Sequence, residues 1–267
     1  MNISSQSSST PSSTRRGTGR GAHKRGVMRT IQRWLQGLVI FFFASTLLAV
    51  IAYRWLPVPI TPLMVIRCFQ QVGRGEKIKL RHHWVSIEEM TPHLAQAVMA
   101  SEDQLFLEHH GFDFNAIGVV IKERHEGKRQ RGGSTISQQT AKNVFLWPAS
   151  SWVRKGFEAY FTVLIELCWS KERIMEVYLN SIEMGDGIYG AEAVAQWHFG
   201  RKAKDLTPNQ CALIAATLPN PLKFSSKEPS RYMLRRQTWI MRQMRYISWP
   251  IQHPSNPASS DAHQSKR

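Results

Sequence analysis

Residues 152–168 read WVRKGFEAYFTVLIELC, a long apolar helix with a charge cluster near its start. Arg154 and Lys155 stand four and three residues before Glu158, so all three share one helical face. On a solvated surface such a pairing is worth at most about 1 kcal/mol. The neighbours Phe157, Tyr160, Phe161, Val163 and Leu164 place the cluster near a core or a membrane instead.

Helix signals continue on both sides of this stretch. Downstream, Ser170 opens a helix with Ile174, Val177 and Tyr178 on one face, expected to end at Gly185-Asp186-Gly187. Ala191 to Phe199 is a shorter helix stopped by Gly200. Thr207-Pro208-Asn209-Gln210 joins a cap, a proline at the first helical position and a capping-box glutamine. Ser230 starts a last helix whose Arg235, Arg236, Arg242 and Arg245 lie mostly on its polar side. Upstream, Thr91-Pro92 precedes Leu94, Ala97 and Val98 at helical spacing. Alternating β-branched runs are scarce, so the pattern predicts a mainly α fold.

The chain has 267 residues, a formal net charge of +16 and 42% hydrophobic residues. That excludes a wholly disordered chain, a collagen and a disulfide miniprotein. The three cysteines, Cys68, Cys168 and Cys211, form no CxxC pair and support neither a zinc ribbon nor a disulfide framework.

Residues 1–33 carry seven basic residues and no carboxylate, and read as a disordered tail. Residues 34–53 hold twenty positions without a charge, enough helix to span roughly 30 Å, a bilayer's hydrocarbon core. Trp34, Tyr53 and Trp55 sit at its two ends, where amphipathic rings favour the interface. A cleaved signal peptide is the alternative, but its charged region is rarely this long. The basic bias keeps the tail cytoplasmic and puts everything after residue 54 across the membrane. Residues 54–85 read as a membrane-proximal linker, extended through Pro57, Pro59 and Pro62, then basic and strand-like or looped. Within it, His82-His83 reads as basic surface rather than a metal site, since strand neighbours point to opposite faces. Residues 86–250 form the folded domain and residues 251–267 a disordered tail.

Three constellations carry chemistry. In Glu102-Asp103, at the end of an apolar helix, partial burial makes a carboxylate a better proton acceptor. Phe106, His109, Gly111 and Asp113 follow. The second is Arg131-Gly132-Gly133-Ser134-Thr135-Ile136-Ser137-Gln138-Gln139-Thr140-Ala141-Lys142-Asn143. Its glycines let a ligand approach the backbone before a helix start, Ser134, Thr135, Gln138 and Gln139 offer neutral hydrogen bonds, and Lys142 adds a charge. That mixture suits sugar hydroxyls beside phosphates, and it lacks the spacing of a P-loop. The third is Arg154-Lys155 with Glu158.

Taken together, these passages resemble the motifs of the peptidoglycan glycosyltransferases, glycosyltransferase family 51, also found at the front of class A penicillin-binding proteins. Tyr178-Leu179-Asn180 and Gly185-Asp186-Gly187-Ile188-Tyr189-Gly190 resemble the family's later motifs. With no room for a penicillin-binding domain afterwards, the chain is most similar to the family's monofunctional Gram-negative branch. The resemblance implies a lysozyme-like helical glycosyltransferase domain behind a single transmembrane helix, in the bacterial inner membrane with the domain in the periplasm.

The implied substrates are lipid II, as acceptor through its sugar 4-hydroxyl, and the growing glycan strand, as donor losing undecaprenyl pyrophosphate. Inversion gives a β-1,4 bond. Glu102 matches the general base, and Glu158 the second carboxylate, which orients cations or helps hold a metal. Lys142, Arg154 and Lys155 are placed at the departing pyrophosphate. Asp103, Phe106, His109, Ser134, Thr135, Gln138 and Gln139 are expected around the substrate, Asp103 also supporting the fold near Glu102. A divalent cation, magnesium or manganese, is compatible with pyrophosphate, although no dedicated metal motif is visible.

One departure stands out: family members often carry an arginine about where Ala149-Ser150-Ser151 stands here, which removes a phosphate contact unless Arg154 or a metal covers it. Phe145, Leu146, Trp147, Trp152 and Phe157 are either core or partly immersed in the outer leaflet. Cell-wall synthesis proteins are further expected partners; nucleic acid is not, for no recognition motif appears. The competing readings are a lytic, lysozyme-like glycan-cleaving enzyme, which binds no pyrophosphate, and a non-enzymatic basic envelope scaffold.

Overall fold

The computed structural model describes residues 20–126 and 133–250. Residues 1–19, 251–267 and 127–132, among them Arg131 and Gly132 at the start of the second motif, lie outside the described residues. A serine or threonine cap begins most of the helices. Thr61 precedes α2 (Pro62–Gly73), Thr91 precedes α3 (Pro92–Glu102) and Thr135 precedes α5 (Ile136–Phe145). Ser151 precedes α6 (Trp152–Cys168), Ser170 precedes α7 (Lys171–Ser181), Thr207 precedes α9 (Pro208–Thr217) and Ser230 precedes α10 (Arg231–Met244). Apart from Thr91, each cap oxygen accepts a backbone N–H of the first turn, satisfying a donor that the helix cannot. The remaining helices are α1 (Arg20–Tyr53), α4 (Phe114–His125) and α8 (Ala191–Phe199), the last ended by Gly200 at φ +63°. The fold is mainly α, as the sequence predicts.

Three expectations are corrected. Residues 20–33 are helical and continuous with the apolar segment; they contain no proline, and extending an existing helix adds one hydrogen bond per residue. The expected linker 54–85 instead contributes α2 and the strand β1 (Arg81–His82) to a compact unit that begins at Ala49. Thr61-Pro62 is the same cap-plus-proline signal as Thr91-Pro92, and Thr61 Oγ1 accepts the Met64 N–H at 3.3 Å. Finally, α7 stops at Ser181, and Gly185-Asp186-Gly187 forms the turn between β2 (Glu183–Gly185) and β3 (Ile188–Tyr189).

Strand β3 lies between the other two, parallel to β1 with Arg81 opposite Ile188, and antiparallel to β2. Gly187 must be glycine: at φ +69° a Cβ would lie 2.4 Å from the carbonyl oxygen of Lys79. Asn180, fully buried, holds the segment before α3 by pairing its amide with both the N–H and the carbonyl of Val85, at 3.0 and 2.9 Å.

Helix α3 packs on α9 and α10, and α5 packs on α6 and α7. Alanines face the first contact from both sides (Ala97 and Ala100 on α3, Ala212, Ala215 and Ala216 on α9) and all are buried. Small side chains let the backbones approach, so that Ser101 Oγ reaches the Ala215 carbonyl at 3.4 Å. In the other group, Ile165, Ile174, Met175, Tyr178 and Leu179 are fully buried.

From Met28 to Tyr53, α1 is long and apolar enough to cross a membrane. Leu38, Val39, Ile40, Phe41 and Phe43 are all exposed along it. Its last residues are built into the body: Val50 is buried, its carbonyl accepts Trp169 Nε1 at 2.7 Å, and Arg173 donates to the Tyr53 carbonyl at 2.8 Å. Phe145, stacked on Phe161 at 4.5 Å, packs against Tyr53 at this end, while Leu146 is buried and Phe157 half-buried in the core. Of the aromatic cluster read from the sequence, Trp147 and Trp152 remain exposed, Trp152 at 92%.

Candidate active site

Glu102 ends α3, partly exposed, where the α3–α9 contact holds it. One carboxylate oxygen accepts Ser101 Oγ at 2.9 Å and lies 3.7 Å from the Arg236 guanidinium on α10. The other accepts the Gln139 amide of α5 at 3.2 Å. Tyr178 OH donates to the Gln139 carbonyl oxygen at 3.1 Å, an arrangement that assigns the amide its orientation and turns its NH2 toward Glu102. Burial, then the nearby negative charges of Glu102 and Asp103, push the Tyr178 phenol well above its ordinary pKa, so it stays a donor.

The rest of the first motif is a brace, which corrects several expected substrate contacts. Asp103 is buried, and its carboxylate accepts both the Ile136 N–H at 2.9 Å and His109 Nε2 at 2.9 Å. His109 Nδ1 accepts the Gly111 N–H at 3.1 Å, which leaves the ring proton on Nε2. Phe106 is 0% exposed, in the core, with the Lys171 ammonium 4.7 Å above its ring. Thr135 and Gln138 are buried as the reciprocal capping box of α5, and Thr135 Oγ1 also donates to the Gly111 carbonyl at 2.7 Å. Asp103, His109, Thr135 and the Gln138 carbonyl oxygen thus make contacts within the protein that position α5, and Phe106 is core. Ser134, just before α5, is exposed, and Gln139 reaches Glu102.

One turn beyond Gln139 on the same face of α5, Lys142 enters a cavity of about 380 Å³ lined also by Arg67, Asn143, Trp147, Ser150 and Arg154. Among the described residues, the Lys142 ammonium has no hydrogen-bond or ion-pair partner, while its carbonyl accepts the Leu146 N–H. Crowding by protein lowers its pKa; the attraction of Glu158 opposes this, and Arg154 and Lys155 add to it. Glu158 is 3% exposed and receives Arg154 on one oxygen and Lys155 on the other. Arg154 also donates to the Ala149 carbonyl. The structure therefore gathers Lys142, Arg154, Lys155 and Glu158 as one cluster, with α5 joining it to Glu102.

Two residues of this site were hidden in the sequence. Arg236 reads there as polar surface, yet it donates to Ser101 Oγ at 2.9 Å beside Glu102. Arg67 reads as part of a basic linker, yet it lines the cation cavity. A resident divalent metal does not fit: the cavity lining includes no carboxylate, both Glu158 oxygens are taken by cations, and no cluster of three ligating side chains occurs among the described residues.

Helix α5 thus carries Gln139 against the Glu102 carboxylate and, one turn on, Lys142 in a cavity that Arg67 and Arg154 also line. The protein is, by fold and site, a helical transferase with an apolar N-terminal helix able to cross a membrane. Residues 70–245 match the family described as Transglycosylase, and the chain belongs to that family. It is 61% identical over 225 residues to a biosynthetic peptidoglycan transglycosylase of Bacteroides thetaiotaomicron, covering 84% of this chain and 91% of that one. Proteins of the same description in Bdellovibrio bacteriovorus and Caulobacter vibrioides are 50% and 52% identical, over 89% and 79% of this chain and 92% and 90% of theirs.

Proposed function

We propose that the protein polymerises peptidoglycan glycan strands, transferring the lipid-linked growing chain onto the sugar 4-hydroxyl of lipid II. Family membership supports the activity. The observation that carries the mechanism is the placement on α5 of Gln139 against Glu102 and, one turn on, of Lys142 in the cation cavity.

Glu102 removes the acceptor hydroxyl proton as the oxygen attacks the anomeric carbon of the donor. The bond to pyrophosphate breaks on the opposite side, its electron pair leaves with the phosphate, and configuration inverts. A sugar hydroxyl is a weak nucleophile, so a positioned base contributes about 100- to 10,000-fold. Lys142 and Arg154 meet the developing phosphate charge, while Glu158 keeps Arg154 and Lys155 aimed and mutually tolerated. This assigns the countercharge to protein cations and routes no step through a metal.

The anchor is retained in this reading: a signal-peptide cut would fall at the small-residue stretch Val50-Ile51-Ala52, and there Val50 is buried with its carbonyl bonded to Trp169. The basic residues before the apolar segment support a cytoplasmic N-terminus and a periplasmic domain. Exposed Trp152, Val153, Phe69 and Trp55 supply apolar contact with the leaflet that carries the lipid substrate.

Incubating purified protein with lipid II tests the reading. Wild type is expected to form glycan polymer, and Glu102→Gln to lose at least about 100-fold in rate with stability changed by under about 1 kcal/mol. Cleavage of finished glycan without polymer formation overturns it in favour of a lytic enzyme. An unaffected Glu102→Gln variant overturns the role of Glu102.

A further inference from the structure

The wall of the cation cavity contributed by α2 holds a side chain that the mechanism above does not use. Arg67 Nη1 donates to Gln70 Oε1 at 3.1 Å, and Nη2 lies 3.4 Å from the buried Glu183 carboxylate. Its Nε is buried with no hydrogen-bond partner among the described residues. A buried charged donor without an acceptor is unfavourable, and such groups in native proteins call for a partner. The same cavity is lined by Lys142, Arg154 and Ser150, and by no acidic side chain. Ser150 is short and neutral at the position where the family resemblance leads one to expect arginine.

We propose that Arg67 is a phosphate-binding residue of the donor site, presenting its guanidinium to the pyrophosphate from α2 and supplying the contact that Ser150 does not. The proposal rests on the reading of this cavity as the donor's pyrophosphate site. A guanidinium fork suits phosphate oxygens better than a point charge does. Held at one edge by Gln70 and Glu183, Arg67 is oriented before the donor arrives. Glu183 is itself raised in pKa by burial, with Arg67 opposing the shift. Neutralising Glu183 is the competing, purely structural role for this arginine.

Binding of farnesyl pyrophosphate to the full-length protein in detergent separates the two roles. Arg67→Lys is expected to bind it about tenfold more weakly, Ser150→Arg to bind it more tightly than wild type, and the double variant to recover most of the loss. Glu183→Gln, which keeps an oxygen for Arg67 Nη2, is expected to weaken binding less than Arg67→Lys does. Should Arg67→Lys fail to fold, Arg67→Gln/Glu183→Gln, which leaves no unpaired buried charge, takes its place with the same expected loss and the same rescue by Ser150→Arg. Unchanged affinity in the Arg67 variants overturns the proposal, as does a loss that tracks melting temperature and is not rescued at position 150. Lys142→Met distinguishes this from failure of the cavity reading: if that variant also binds as wild type does, the cavity is not the pyrophosphate site and both readings fall.

Discussion

The Asp103 carboxylate accepts the Ile136 N–H at 2.9 Å, and this bond pins the end of α3 to the start of α5. It sets the separation between Glu102, the preceding residue, and Gln139, one turn into α5. A carboxylate at a helix N-terminus also meets the positive end of the helix dipole.

Asp103→Asn tests the brace. An amide has one acceptor oxygen where the carboxylate offers two; with that oxygen kept on the Ile136 N–H, its NH2 stands where Oδ1 now accepts His109 Nε2 at 3.0 Å and meets that ring N–H. The expected cost is about 2 kcal/mol of stability, with loss of polymerisation even at temperatures where the variant is fully folded. Thermal melting and a lipid II assay on the same preparation check both.

The limits of sequence reading lie in residues such as these. The type of a residue shows that it can hydrogen-bond, whereas its partner depends on tertiary placement. Thr135 and Gln138 carry the groups wanted for sugar hydroxyls, and equally those of a capping box, which is what they form. Phe106, expected around the substrate, is core. The helix from Trp152 to Cys168 was legible to the residue, because cap, length and apolar pattern agree locally. So was the cluster of Arg154, Lys155 and Glu158, since spacing of three and four on a helix is itself a contact. Arg236 and Arg67 were not, because their partners lie far along the chain: Ser101 is 135 residues from the first and Glu183 116 from the second.

Glu158 provides the second prediction. Buried between Arg154 and Lys155, it makes their closeness to Lys142 tolerable. Glu158→Gln leaves three cations without a countercharge and is expected to lower polymerisation by at least about tenfold while destabilising the fold by about 3 kcal/mol. Lys155→Met, on a side chain 43% exposed, is expected to change stability by under about 1 kcal/mol. Denaturant unfolding of the two variants side by side reads the difference, and equal costs would contradict the assigned burial.

Lys142 gives activity a pH dependence. Its pKa is lowered from the ordinary lysine value of 10.5. The folded protein thus releases this proton more readily than the unfolded chain does. Keeping the ammonium charged costs stability below the folded pKa, and that cost is relieved as pH rises through it. Phosphate binding needs the charge, so kcat/KM is expected to fall on the alkaline side at a pH below 10.5. Lys142→Arg, whose guanidinium does not titrate there, is expected to flatten that limb even where it lowers the plateau. A pH–rate profile of both proteins decides it, and an identical alkaline limb in the variant assigns the titration elsewhere.

Arg236 closes the set: in the proposed mechanism it acts through Glu102, whose carboxylate lies 3.7 Å from its guanidinium. Its guanidinium donates to Ser101 Oγ at 2.9 Å and to the Ser101 carbonyl at 3.4 Å, and lies 3.7 Å from Glu102. These contacts tie the last turn of α3 to α10 and bias where the Glu102 carboxylate rests. Arg236→Met keeps much of the aliphatic bulk and removes the fork, so packing against Trp239 survives better than the anchoring of Ser101. The expected result is a fall in kcat of about tenfold, equivalent to about 1.4 kcal/mol of lost transition-state positioning. KM for lipid II should move less than threefold, because the cation cavity is untouched. Arg236→Lys, which restores charge without the planar fork, should recover only part of kcat. A rise in KM with kcat unchanged would instead make Arg236 a substrate-binding residue, and it would move the acceptor site toward α10.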